Sequence, residues 1–178
     1  MLLSCIKNCD LMSTPKWFER KFDLSFSADK YASIYAQLKQ APEKLRQVLA
    51  GLPEEVLLRK PDGKWSIKEH VGHLAIMEPL WRIRFVDIRE RKPVLTTADL
   101  NNTATTAAGF NGFGMEELLD RFSAERQETL RLLNSIDVLD EESTSMHPRL
   151  KQPMRVIDLA YFVAEHDEHH VAVMVEMR

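Results

Sequence analysis

The stretch that most restricts how this chain can fold lies near its end, Phe162-Val163-Ala164-Glu165-His166-Asp167-Glu168-His169-His170-Val171-Ala172-Val173. It sits in a helical pattern that runs from Pro153 to about Met177. His166 and His170 are four residues apart, so on a helix they leave one face, one turn above the other. At about 100° per residue, Leu159, Phe162, Val163, Val173 and Met177 fall within roughly a quarter turn of that pair. The two imidazoles therefore lie inside the apolar stripe and point at whatever the helix packs against. Two buried rings without partners are costly, and a metal ion shared with a neighbouring helix is the first arrangement that removes the cost.

The rest of the chain supplies the neighbours. Tyr31, Ile34, Leu38, Leu45 and Val48 recur at helical spacing between about Ser27 and Ala50, and Gly51-Leu52-Pro53 ends that pattern. Pro42 lies inside it and predicts a bend or restart. After the turn at Asp62-Gly63-Lys64, Ser66-Ile67-Lys68-Glu69 reads as a capping box. It opens a second helix to about Arg91 with Ile67, Leu74, Met77, Trp81, Phe85 and Ile88 inward, and Pro79 predicts a kink. A third helix spans about Met115 to Ser135, with Leu118, Leu119, Phe122, Leu130 and Leu133 inward. Residues 92–113 show no period, and a connection of roughly twenty such residues is a crossover, a cover for a site, or both. No alternating run marks a sheet. The expected fold is all-α, a four-helix bundle with a long crossover between helices 2 and 3. It occupies residues 27–178, with residues 1–26 as a tail and an apolar arm (Trp17, Phe18, Phe22, Leu24, Phe26) laid on its outside.

Composition narrows the function. A formal net charge of −3, with 29% charged residues, gives no electrostatic case for nucleic acid or for an anionic membrane surface. The two cysteines, Cys5 and Cys9, make no disulfide framework. No apolar run approaches the ~18–20 residues of a membrane span, and the first apolar residues are interrupted before they reach a secretory signal. Met12 could serve as a start, which would make residues 1–11 an upstream extension. The expectation is a cytoplasmic protein.

A third ligand for the His166/His170 pair must come from another helix. Helix 2 offers His70 and His73, in Glu69-His70-Val71-Gly72-His73-Leu74. Three imidazoles leave coordination positions open, as in a catalytic rather than a structural site. Glu165 and His169, also four apart, form an alternative register nearer the polar border. The pattern lacks the His-Glu-x-x-His of the zincins. Trp65 and Trp81 read as core residues and His147, before Pro148, as a loop residue.

At this point a resemblance becomes specific. Trp65-Ser66 through Gly72-His73-Leu74, followed by a long crossover and then by His147-Pro148 and His166-Asp167-Glu168-His169-His170, resembles the DinB/YfiT-like superfamily over about Ser25 to Arg178. The resemblance implies a four-helix bundle holding a divalent metal, Zn or Ni, on three histidines. Carried over residue by residue, these are His73, His166 and His170. His70, Glu165 and His169 are then candidates for holding the ligands from behind. One departure stands out: where the family often continues His-His-x-Gly-Gln, this chain has Val171-Ala172-Val173. The polar Gln position is apolar, so a hydrogen bond to a ligand or to substrate is lost there, and a relative's specific reaction does not carry over with the metal.

The function expected from the site and the resemblance is metal-dependent attack on a small electrophile, as a thiol transferase or a hydrolase. The substrate would be a small molecule, with a low-molecular-weight thiol as a possible second one. The alternative is a metal-binding, stress-associated protein without turnover. A homodimer through the aromatic arm is a further expectation.

Overall fold

A computed structural model describes residues 16–138, 140 and 142–178. Cys5, Cys9 and the start at Met12 lie outside the described residues. Among the described residues six α-helices follow in order: α1 (Tyr31–Leu49), α2 (Glu54–Leu58), α3 (Ile67–Arg89), α4 (Thr103–Ala107), α5 (Met115–Leu133) and α6 (Val156–Glu176). The long four, α1, α3, α5 and α6, make the bundle.

Each long helix carries the stripe its sequence predicts. α1 buries Ile34, Leu38, Ala41, Leu45 and Leu49, a spacing of three and four that keeps one face inward. It stays continuous across Pro42, and α3 across Pro79, so neither proline causes a restart. The capping box at the start of α3 forms as read. Ser66 Oγ accepts from the Glu69 backbone N–H at 3.2 Å, and Glu69 Oε2 accepts from the Ser66 N–H at 2.8 Å.

The helices pack as a ring, α1 on α6, α6 on α3, α3 on α5 and α5 on α1. Side-chain pairs set their directions. Arg46 on α1 meets Glu116 and Asp120 near the start of α5, and Tyr35 meets Asn134 just past its end, so these two run antiparallel. His70 meets His170 and Trp81 meets Phe162, so α3 and α6 are antiparallel as well. Ile67, Val71 and Leu74 early in α3 share one apolar cluster with Leu118, Leu119 and Phe122 early in α5, and Phe85 and Ile88 share the other with Leu133, which makes α3 and α5 parallel.

That parallel pair is why the chain needs a long connection. After α3 it retraces the helix from end to start. The Thr96 carbonyl accepts from Arg84, Thr105 Oγ1 meets His73, the Phe110 ring covers Gly72, and Asn111 meets Ser66. The segment is not structureless, because it holds α4 and a 3-10 turn at Phe110–Gly112. Both are single turns, too short to leave a readable period. A Cβ built on Gly72 would lie 2.4 Å from the Phe110 ring, so only glycine lets the crossover sit this close beside His73.

Two expectations near α6 change. A two-stranded antiparallel ladder, β1 (Ser145–Met146) with β2 (Pro153–Met154), precedes the helix. Strands of two residues are shorter than the about four to eight over which alternation can be read. Pro153 therefore pairs in a strand, and α6 starts at Val156 behind Arg155, whose backbone N–H donates to Asp158. The aromatic arm does lie on the bundle, but Phe22 is 5% exposed and belongs to the main core.

The core has two apolar halves, one around Trp81, Phe85 and Val163, the other around Leu45, Leu74 and Phe122. Between them lies a buried ionic layer. Arg126 of α5 donates to both oxygens of Asp167 (2.7 and 3.1 Å, α6), to Glu78 (3.0 Å, α3) and to the Leu38 carbonyl (3.0 Å, α1). One guanidinium thus ties all four helices. Burial raises the Asp167 carboxyl to about 6 even against the attraction of Arg126.

Candidate metal centre

Four histidines meet where the N-terminal half of α3 faces the C-terminal half of α6. His73, His166 and His170 each offer a ring nitrogen to one point, with these atoms all within 4.8 Å of one another. Among the described residues, theirs is the set of His, Cys, Asp and Glu donors that converges in this way. The three residues are 4%, 3% and 6% exposed. The i,i+4 spacing on α6 puts His166 above His170, with their Nε2 atoms 3.2 Å apart. α3 brings His73 across from both.

The hydrogen bonds on the far sides of the rings decide which nitrogens face inward. His73 Nδ1 lies 2.9 Å from Thr105 Oγ1, which leaves its Nε2 for the centre. His170 Nδ1 lies 2.8 Å from His70 Nδ1. With His170 Nε2 directed at the centre, its Nδ1–H is the donor and His70 the acceptor. His166 is held differently: its Nδ1 is buried without a hydrogen-bond partner among the described residues, and the rings of Trp17 and Trp81 stand edge-on to it at 5.1 and 5.4 Å.

Burial keeps the cluster neutral. Desolvation lowers His73 to about 3 and His70 to about 4, and drives His166 and His170 well below the ordinary histidine value, with each ring also repelling a charge on the next. Neutral imidazole is the form that binds metal. The geometry agrees. Two nitrogens each 2.0–2.1 Å from a common ion at a tetrahedral angle are about 3.3 Å apart, and the Nε2 atoms of His166 and His170 match this at 3.2 Å. A proton on one Nε2 makes this contact a hydrogen bond, and a cation held between the two nitrogens would take that proton's place. The residues present fit a divalent ion.

The triad opens on a cavity of about 1260 Å³. Trp65 packs 4.7 Å from the His73 ring, and Trp17, Trp81 and Phe162 continue the apolar wall past His166. Val173, in the position where Gln was expected, lines the same space. Trp65 and Trp81 are therefore walls of the site as well as packing residues.

The other sequence candidates separate. His70 backs His170, as a ligand-holding residue would. His169 lines the cavity against the Trp17 ring at 5.6 Å, and its Nδ1 has no hydrogen-bond partner. Glu165 turns away to pair with Arg20, so it holds no imidazole, and the Glu165/His169 register assembles no site. Asp167 is committed to Arg126, and Glu168 to Lys44. Thr105 and Trp17 carried no recognisable signal. Both lie outside the periodic helices, and only the return of the crossover and of the arm puts them here.

The comparisons with known proteins agree with this geometry. Residues 37–174 match the DinB superfamily. A curated relative from Geobacillus thermodenitrificans (strain NG80-2), named "Putative metal-dependent hydrolase", is 27% identical over 157 residues, which is 86% of each chain. YfiT from Bacillus subtilis, described as "a probable metal-dependent hydrolase with an unusual four-helix bundle topology", superposes with a TM-score of 0.76. That match covers 89% of this chain and 91% of YfiT at 21% identity, which speaks to the fold. With the match reaching into all four long helices and covering all three converging histidines, this chain belongs to the DinB superfamily.

Proposed function

We propose that this protein is a metal-dependent hydrolase of small molecules, with His73, His166 and His170 holding a single Zn²⁺ or Ni²⁺. The observation that carries the reading is the convergence of three neutral, buried imidazoles at the wall of a cavity large enough for a substrate. Three nitrogen ligands suit either ion and leave positions open. A divalent ion held there supplies Lewis-acid activation of water. The protein's own groups do the rest. Thr105 and His70 fix the rings of His73 and His170, so the donor atoms need no reorganisation. Trp17, Trp65 and Trp81 exclude bulk water from the reacting end and strengthen every electrostatic interaction there. The name of the curated relative, "Putative metal-dependent hydrolase", supports hydrolysis over other chemistry.

Thiol transfer is the second reading, and the cavity favours it. Its volume of about 1260 Å³ exceeds the ~300–1,000 Å³ of a typical single-ligand site, so a thiol and an electrophile fit together. Metal content of untagged protein, followed by ester, amide and thiol-transfer panels on the loaded protein, tests both. Stoichiometric Zn²⁺ or Ni²⁺ with hydrolysis abolished in His73→Ala supports the first reading. Turnover that requires an added thiol supports the second. Stoichiometric metal with no turnover in any panel leaves a metal-binding protein.

A further inference from the structure

Beyond Trp81, on the wall of the same cavity, lies a second polar cluster, which the metal chemistry does not use. Arg84, on α3, is 2% exposed. Its Nε donates to the Thr96 carbonyl at 2.8 Å, and no carboxylate among the described residues pairs with it. Asp87, the acid that acts on it from the same helix, is spent on Lys92 and on the Thr96 N–H. Burial lowers Arg84 only to about 10, so it carries its charge at neutral pH.

His147 faces it from the β1–β2 hairpin. Its Nδ1 accepts the backbone N–H groups of Arg149 and Leu150, each at 3.2 Å. An imidazole that accepts at Nδ1 and is neutral carries its proton on Nε2. That Nε2–H lies 3.4 Å from Nη1 of Arg84, so two donors stand side by side with no acceptor between them. Arg149 adds a third: its Nη1 donates to the Phe18 carbonyl at 3.4 Å, but its Nη2 is buried with no hydrogen-bond partner among the described residues, and its guanidinium lies over the Phe162 and Trp17 rings at 6.0 and 5.9 Å. Buried donors without acceptors are costly, and three of them, two cationic, at one cavity wall describe a receptor for an anion.

We infer that Arg84, Arg149 and His147 bind a carboxylate of the substrate. Paired donors suit the two oxygens of one carboxylate, and guanidinium is the group best matched to them. Trp81 spans the gap to the triad, with its ring 5.4 Å from His166 on one side and 5.4 Å from the Arg84 guanidinium on the other. The substrate class is therefore an anionic molecule with an apolar middle, held by its carboxylate so that its far end lies at the triad. This placement of the reacting end rests on the hydrolase reading, whereas carboxylate binding does not.

Calorimetry with a panel of ω-phenylalkanoates of two to four methylenes, each beside its neutral amide, tests it. The acids should bind at least about tenfold more tightly than the amides, the value of one charge-assisted hydrogen bond. Arg149→Met, at a half-buried position, should remove most of that preference, and Arg84→Lys should keep more of it than Arg84→Met. His166→Ala should keep it in metal-free protein, so a failed metal reading leaves this result intact. Equal binding of acids and amides, no binding by any acid, or an acid preference that survives both Arg84→Met and Arg149→Met in folded protein overturns the inference.

Discussion

His70 and His170, a hundred positions apart in sequence, face each other Nδ1 to Nδ1 at 2.8 Å. One proton shared between them decides that Nε2 of His170 is free to coordinate. A residue outside the triad thereby sets the protonation state of one within it. Thr105 acts in the same way on His73.

His73→Ala, His166→Ala and His170→Ala should each abolish stoichiometric metal binding. His70→Ala and Thr105→Val should retain it with affinity lowered about 10- to 100-fold, because only the orientation and tautomer of a ligand are lost. Competition with a chelating indicator distinguishes the two groups. Equal losses in all five would place His70 or Thr105 among the ligands.

Arg126 is fully buried between two acids, so losing the guanidinium strands both carboxylates, whereas losing one acid leaves a balanced pair with poorer hydrogen bonds. Arg126→Met should cost about 3–5 kcal/mol of stability, read from urea unfolding. Glu78→Gln or Asp167→Asn should each cost less, about 1–3 kcal/mol. A triple replacement by apolar residues of similar volume should recover much of the loss. Near-neutral single variants would show that water reaches this layer.

Gly72→Ala should destabilise by about 1–3 kcal/mol, the usual cost of overpacking, because its methyl group would overlap the Phe110 ring. Phe110→Ala in the same chain should return part of the loss by making room. The double-mutant cycle measures this coupling, and additive effects would argue against the close contact.

Stability should fall with acid in the metal-free protein. His70, His73 and His147 have folded values of about 4, 3 and 3 against 6.5 when free, chiefly through desolvation. The unfolded chain therefore takes up their protons first. Their contribution is fully present above pH 6.5 and is lost as pH falls toward 4, at about 1.4 kcal/mol per pH unit for each ring. Asp167, raised to about 6, acts in the opposite sense and offsets part of it. Urea midpoints at pH 8, 6 and 5 should decrease in that order, and a flat or rising series would mean that the rings are charged in the folded state.

Much of this was legible in the chain because it was local. Apolar spacing marked the four long helices, Ser66 and Glu69 marked a helix start, and four residues between His166 and His170 put both on the buried face of α6. The resemblance to the DinB/YfiT-like superfamily then selected His73 over its neighbour His70. Periodicity is a property of adjacent turns, so it can be read without knowing what the helix packs on.

The remainder depends on residues that meet only when the chain returns on itself. Arg126, Glu78 and Asp167 lie on three helices at sequence separations of 41 and 48, and no local spacing marks them as partners. Thr105, Trp17 and His147 lie in segments with no period, where nothing in the local pattern says which way a side chain will face. The amino-acid sequence by itself determined the helices, their inward faces and the pair of histidines on α6. The parallel packing of α3 and α5 decided the path of the crossover and the ring of partners behind the triad. It also left the burial of Arg84 beside His147 to be seen only in the folded chain, because hydrogen bonds between distant segments exist only once the bundle has closed.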